Sequence, residues 1–231
     1  MEKNFFQRWA NRDSNVQSVG RYTALLSSLI LLLVMMPILR FVPGGGMRFS
    51  GLLCLVLSTA VYFSSYNRRL LIASMLIGGG AIVGAGIAQA TGSSAVQLIA
   101  DSLGLALLTL TTLLILNTLI QTSDVSRDTI IGGICVYLLI GLSFTLGYIL
   151  ISDLGAGSLL DAGQPVLRSQ ADGSHFAATL LYFSFVTLTT LGYGDITPAG
   201  EVARMLASTE AVIGQLYVAI FIARLIARHQ D

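Results

Sequence analysis

Charge is what this sequence has least of. Charged residues make up 11% of the 231 and hydrophobic ones 54%, whereas a soluble domain carries about a quarter charged residues. Mean hydropathy is +0.78, so water is excluded as the main solvent. Lysine is almost missing: Lys3 stands alone among thirteen basic residues, and the formal net charge is +1. That excludes a basic nucleic-acid surface and gives no face for an acidic partner. Cysteine is limited to Cys54 and Cys135, both inside apolar runs, where they read as small buried hydrophobes rather than a disulfide or a metal pair. No short apolar core followed by a small-residue cleavage site lies near the start, so residues 1–21 are expected to remain as a cytoplasmic segment.

What is present is a series of apolar runs, at residues 22–42, 51–66, 70–90, 95–120, 129–151 and 202–227. A helix rising 1.5 Å per residue crosses a hydrocarbon layer of about 30 Å in about 20 residues. Pro37 is expected to kink the first run, and Pro43-Gly44-Gly45-Gly46 to turn the chain back. Gly78-Gly79-Gly80 and Gly84 give the third run a small-residue spacing that reads as close helix packing in lipid. Residues 152–174 are polar, and the apolar stretch 176–189 that follows is too short to span, which fits a re-entrant half-helix.

Six spans put both termini on one side. Lys3, Arg8, Arg12, Arg21, Arg68, Arg69, Arg127, Arg224 and Arg228 then share one face, against Arg40, Arg48, Arg168 and Arg204 on the other. The positive-inside rule makes the first face cytoplasmic. The fold class expected is an all-α membrane protein with six transmembrane helices, a re-entrant pore helix and a filter loop.

The loop reads Thr189-Thr190-Leu191-Gly192-Tyr193-Gly194-Asp195-Ile196-Thr197-Pro198. Rings of backbone carbonyls can replace an ion's hydration shell. Aiming successive carbonyls at one axis needs backbone angles that a Cβ resists, which gives Gly192 and Gly194 a physical purpose. Non-helical backbone at membrane depth is tolerated where it lines a water-filled path, and a re-entrant segment leading into such a loop meets that condition.

The stretch Tyr182 to Pro198, YFSFVTLTTLGYGDITP, resembles the pore loop of the potassium channel superfamily, particularly its prokaryotic members, and the resemblance extends over about residues 130–228. It implies K+ coordination by Thr190, Leu191, Gly192, Tyr193 and Gly194, with a ring of Asp195 carboxylates at the outer mouth. Leu191 stands where valine is usual, a change expected to keep selectivity because the carbonyl is the ligand. Tyr193 is expected to brace the loop against Tyr182, Phe183 and Phe185. Gly214, twenty residues after Gly194, is similar to the family's inner-helix hinge, and Val218 and Ile222 would line the cavity below the filter on the same face. Thr197 occupies the position where an aromatic residue assists external tetraalkylammonium block in the family, so weak block is expected. One loop per chain supplies one quarter of a filter, hence a homotetramer.

The sequence departs from voltage-gated relatives in its fourth run. Residues 95–120 contain no arginine or lysine, so gating charge cannot be supplied by that route. Residues 22–122 are therefore expected to form a four-helix unit that is voltage-sensor-like in shape only, and 129–228 the pore domain. Asp101 and Glu210 are ionisable groups inside apolar runs and so candidates for gating or ion pairing. Asp101 is expected to reach the headgroups or pair with Arg40 or Arg48, and Glu210 to bond behind the filter or between helices. No cytoplasmic nucleotide- or calcium-binding domain is expected beyond the last helix.

No nucleophile with a base, metal-ligand cluster or phosphate-binding loop argues for an enzyme. The expected function is passive K+ conduction by a homotetramer surrounded by membrane lipids, with K+ as permeant ion and no cofactor, nucleic acid or soluble substrate. The expected location is the cell membrane, multi-pass, with the style of the pore segment pointing to a bacterial inner membrane. Competing readings are a non-selective cation channel, a potassium uptake transporter subunit, and a non-conducting accessory or sensor subunit.

Overall fold

In a hydrocarbon solvent every backbone N–H and C=O must be bonded within the protein, and long helices achieve that within one segment. The computed structural model, which describes residues 21–39, 68–122, 126–155, 158–168 and 173–227, follows this rule. Its helices are α1 (Arg21–Leu39), α2 (Arg68–Thr91), α3 (Ser94–Gln121), α4 (Arg127–Asp153), α5 (Gly173–Leu188) and α6 (Glu201–Ala227). Among the described residues, α3, α4 and α6 are the helices long and apolar enough to cross a membrane. The second apolar run, the Pro43-Gly44-Gly45-Gly46 turn, Arg40 and Arg48 lie outside the described residues.

Several hydroxyl side chains inside these helices turn back to their own backbone. Thr111, Thr112 and Thr145 donate to the carbonyls of Leu107, Leu108 and Gly141 at 2.8, 2.8 and 2.9 Å, so no buried hydroxyl among them is left without a partner. α4 opens on a capping box between Ser126 and Thr129, which satisfies two N–H groups that the first turn leaves free.

One face of α1, carrying Leu25, Leu29, Leu32 and Met36, is buried in a core shared with Val136, Leu139 and Leu142 of α4. α2 packs along α3, and Gly84 lies so close to Ala100 that an added Cβ would sit 3.2 Å from the alanine's own. The expected close packing at that glycine is thus present. Large apolar residues such as Leu31, Val34, Leu113 and Ile120 face outward, an arrangement suited to lipid tails rather than water.

An all-helical description omits one element. Between α4 and α5 the polar segment forms β1 (Ser158–Asp161) and β2 (Gln164–Pro165), and β3 (Ile196–Ala199) follows the loop 189–195. The strands make an antiparallel sheet in the order β2-β1-β3, with Leu160 opposite both Pro165 and Thr197. Ala162 and Gly163 turn the hairpin with φ of 47° and 80°, the positive angles that a two-residue hairpin favours. Pro198 sits in β3, an edge strand, where its missing N–H is tolerated.

Candidate functional site

The loop 189–195 hangs between the C-terminus of α5 and β3. Leu191 N–H donates to the Val186 carbonyl at 2.9 Å and Thr190 N–H to that of Thr187 at 2.9 Å, so the end of α5 sets where the loop begins. At the far end β3 pairs with β1, and Ala162 N–H donates to the Asp195 carbonyl at 3.4 Å. The loop is held at both ends.

Between those anchors the backbone alternates. Thr190, Gly192 and Gly194 have φ of 57°, 56° and 78°, whereas Leu191 and Tyr193 do not have positive φ. Alternating backbone hand is one way a loop can present successive carbonyls on one side, as a carbonyl-lined ion path would need. Glycine adopts the left-handed region freely. Thr190 does not, so its conformation is a local strain held by the surrounding bonds. Gln215 of α6 supplies one of them, donating from Nε2 to Thr190 Oγ1 at 3.2 Å.

Asp195, at the end of the loop next to β3, accepts from the Tyr182 hydroxyl at 2.7 Å. That bond holds the carboxyl below the usual carboxylate range, assisted by the Ile196 N–H. The aromatic bracing expected around Tyr193 is arranged differently within the chain. Phe183 packs edge-on against Tyr148 with centroids 5.0 Å apart, Phe185 presses on Gly141, and Tyr193 itself is 68% exposed. Only Tyr182 of the three reaches the loop through a polar bond, and its partner is Asp195.

Behind α5, the buried side of α6 consists of Ala203, Glu210 and Gly214. Gly214 has a packing role, because a Cβ there would collide with the Leu188 carbonyl at the end of α5. Helix α6 runs unbroken past it to Ala227. Val218 and Ile222 lie on the exposed side of the helix, 39% and 49% exposed. Glu210 is fully buried. Its Oε2 lies 2.6 Å from the Tyr148 hydroxyl of α4 and its Oε1 2.5 Å from Ser184 Oγ of α5, so it bonds between helices.

Asp101 is bound on the same side of the chain as the polar segment: Gln97 of α3 donates to it at 3.1 Å, and its partner from elsewhere in the chain is Arg168. The guanidinium lies 2.8 Å from Asp101 and 3.1 Å from Asp153, and stacks over the Phe176 ring at 5.4 Å. Arg168 thus ties α3, the end of α4 and the start of α5 together. At the opposite end of α6, Arg224 donates to the Ile120 and Thr122 carbonyls at 2.6 and 3.2 Å, capping the last turn of α3 where a cation is favourable. Sequence reading missed Gln215, Arg168, Arg224, Tyr148 and Ser184. The visible signal was a polar residue within or beside an apolar run, and nothing local assigned it a partner.

The family comparison falls on this part of the chain. Residues 159–230 match the family model described as ion channel. Two pore potassium channel c of Oryza sativa subsp. japonica is 41% identical over 59 residues, which is 26% of this chain and 13% of that protein. Two pore potassium channel b of the same plant is 42% identical over 48 residues, 21% and 14% of the two chains. Protein LctB of Bacillus caldotenax is 46% identical over 44 residues, 19% of this chain and 32% of its own length. The chain therefore aligns with well under half the length of these relatives. Residues 159–230 are thus similar to ion channels rather than to enzymes, and parts of the chain are similar to segments of two pore potassium channels.

Proposed function

We propose that this chain is one subunit of a homotetrameric, potassium-selective channel that conducts K+ passively across a cell membrane. The observation that carries the reading is the alternation of backbone hand through Thr190, Leu191, Gly192, Tyr193 and Gly194. It supports a row of carbonyls on one side of the loop, and four such rows facing one axis would replace the hydration shell of K+. Asp195 at the outer end gathers cations, and K+ is the permeant ion with no cofactor.

Assembly has its own support. Apolar side chains cover much of α6, with Val212, Leu216 and Ile220 at 56, 55 and 65% exposed. One loop is a quarter of a filter, and cyclic symmetry closes the ring. In this reading residues 129–228 form the pore domain, with Val218 and Ile222 lining the cavity and Gly214 at the inner-helix hinge position. Residues 22–122 form a peripheral four-helix unit, giving six spans with both termini cytoplasmic. The absence of basic residues along α3 argues against strong voltage gating.

The test is ion flux into liposomes holding the purified protein, with K+ and Na+ gradients in parallel, comparing the native chain with Gly192→Ala. K+ flux that Na+ cannot replace and that the variant loses is the expected result. Equal K+ and Na+ flux would make the pore a non-selective one. Protein that stays monomeric in mild detergent and passes no ion would overturn the pore reading in favour of an accessory subunit.

A further inference from the structure

Three short oxygen–oxygen contacts meet where α4, α5 and α6 touch. Tyr148 Oη lies 2.6 Å from Glu210 Oε2, Ser184 Oγ lies 2.5 Å from Glu210 Oε1, and Ser184 Oγ lies 2.7 Å from the Gly141 carbonyl oxygen. Each has the length of a full O–H···O bond, so each needs its own proton. The Tyr148 hydroxyl supplies one and the Ser184 hydroxyl a second. The Gly141 carbonyl has none to give, and it already accepts from Thr145 Oγ1 at 2.9 Å.

We infer that Glu210 supplies the third proton, standing as a neutral carboxylic acid that links the pore helix to the outer and inner helices. The chain of donors then runs in one direction. Glu210 donates from Oε1 to Ser184, Ser184 donates to Gly141, and Tyr148 donates to the acid's carbonyl oxygen Oε2. An ionised Glu210 would take the serine proton and leave Ser184 Oγ and the Gly141 oxygen facing each other with no proton between them. A single serine proton shared by both would give two long contacts rather than 2.5 and 2.7 Å.

The surroundings favour the neutral form. Glu210, Ser184 and Tyr148 are all 0% exposed, and no ion pair of Glu210 is found among the described residues. The titratable groups facing it are both phenols of α4, Tyr148 and the more distant Tyr137. α5 presents Ser184, and no charged side chain comes from α5 or from α6 itself. A buried charge without a counter-ion is strongly disfavoured. The inference deepens the pore reading, since α5 is the helix that sets the start of the filter loop, but its test does not depend on ion flow.

The measurement is the infrared spectrum of the purified protein in lipid at neutral pH. The carbonyl-stretch band of a protonated carboxylic acid is expected, lost in Glu210→Gln and retained in Asp101→Asn. Tyr148→Phe provides an independent check, because removing the donor to Oε2 should shift that band to higher wavenumber. Thermal unfolding against pH gives the functional counterpart. By linkage the native protein should lose stability as pH rises from the ordinary carboxylate range until the folded state gives up the Glu210 proton, while Glu210→Gln, whose amide can donate to Ser184 and accept from Tyr148, should lack that slope. A spectrum in which neither Glu210→Gln nor Tyr148→Phe alters an acid band would overturn the inference, whether or not the protein conducts. So would a stability profile from the ordinary carboxylate range upward that has the same slope in the native protein and Glu210→Gln.

Discussion

The Tyr182 hydroxyl donates to Asp195 Oδ2 at 2.7 Å, coupling α5 to the carboxylate at the far end of the loop 189–195. Because this bond favours the ionised form, Asp195 is held below the usual carboxylate range. The interaction is complete above the ordinary carboxylate pKa and is lost as pH falls through the lowered one. Potassium flux should therefore persist as the outer solution is acidified through the normal carboxylate range and decline below it. In Tyr182→Phe the decline should begin at higher pH, and flux measured against external pH checks the direction.

Gly214 owes its identity to the Leu188 carbonyl, which a side chain would strike. Gly214→Ala must push α6 away from the end of α5 or distort Leu188. Overpacking of this kind costs about 1–3 kcal/mol. Denaturant or thermal unfolding in detergent should register the loss, and flux should fall with it because Leu188 directly precedes the filter loop.

Arg168 stands between two carboxylates, with side-chain exposures of 29% for the arginine, 13% for Asp101 and 17% for Asp153. Removing it leaves two like charges facing each other in a largely buried place. Arg168→Gln should cost about 2 kcal/mol, below the ~3–5 kcal/mol of a fully buried pair because some solvent reaches the site. In a double-mutant cycle, Asp101→Asn combined with Arg168→Gln should cost less than the sum of the two single changes.

Thr197 lies exposed in β3 opposite Leu160, just past the outer end of the loop. It offers no aromatic face to a quaternary ammonium ion, so external tetraethylammonium should block weakly. Thr197→Tyr should tighten block by about tenfold, the size of a typical cation–π gain, as read from flux inhibition curves.

α3 carries no basic residue from Ser94 to Gln121. Moving a charge through the membrane field supplies about 2.3 kcal/mol per 100 mV, and a helix without charges gathers none of it. Conductance in planar bilayers should change little with potential. A steep voltage dependence would assign the sensing to another part of the chain.

Several features were legible in the sequence because they depend on neighbouring residues. Apolar run length fixed the described helices to within a few residues, so that runs at 95–120, 129–151 and 202–227 became Ser94–Gln121, Arg127–Asp153 and Glu201–Ala227. The shortness of 176–189 marked the half-helix, found at Gly173–Leu188. The glycines of the loop were readable because backbone hand is a property of one residue at a time.

Tertiary structure alone decided the rest. Thr190 takes the left-handed angle of a glycine because bonds from Gln215 and the end of α5 hold it there, and no propensity of threonine predicts that. The small sheet escaped notice since its strands are short and β1 and β3 are far apart in the chain, with α5 and the loop 189–195 between them. Asp101 finds Arg168 across 67 positions, and Glu210 finds Tyr148 across 62. Which polar groups meet inside an apolar solvent depends on how whole helices pack, whereas which segments enter that solvent depends only on the residues they contain.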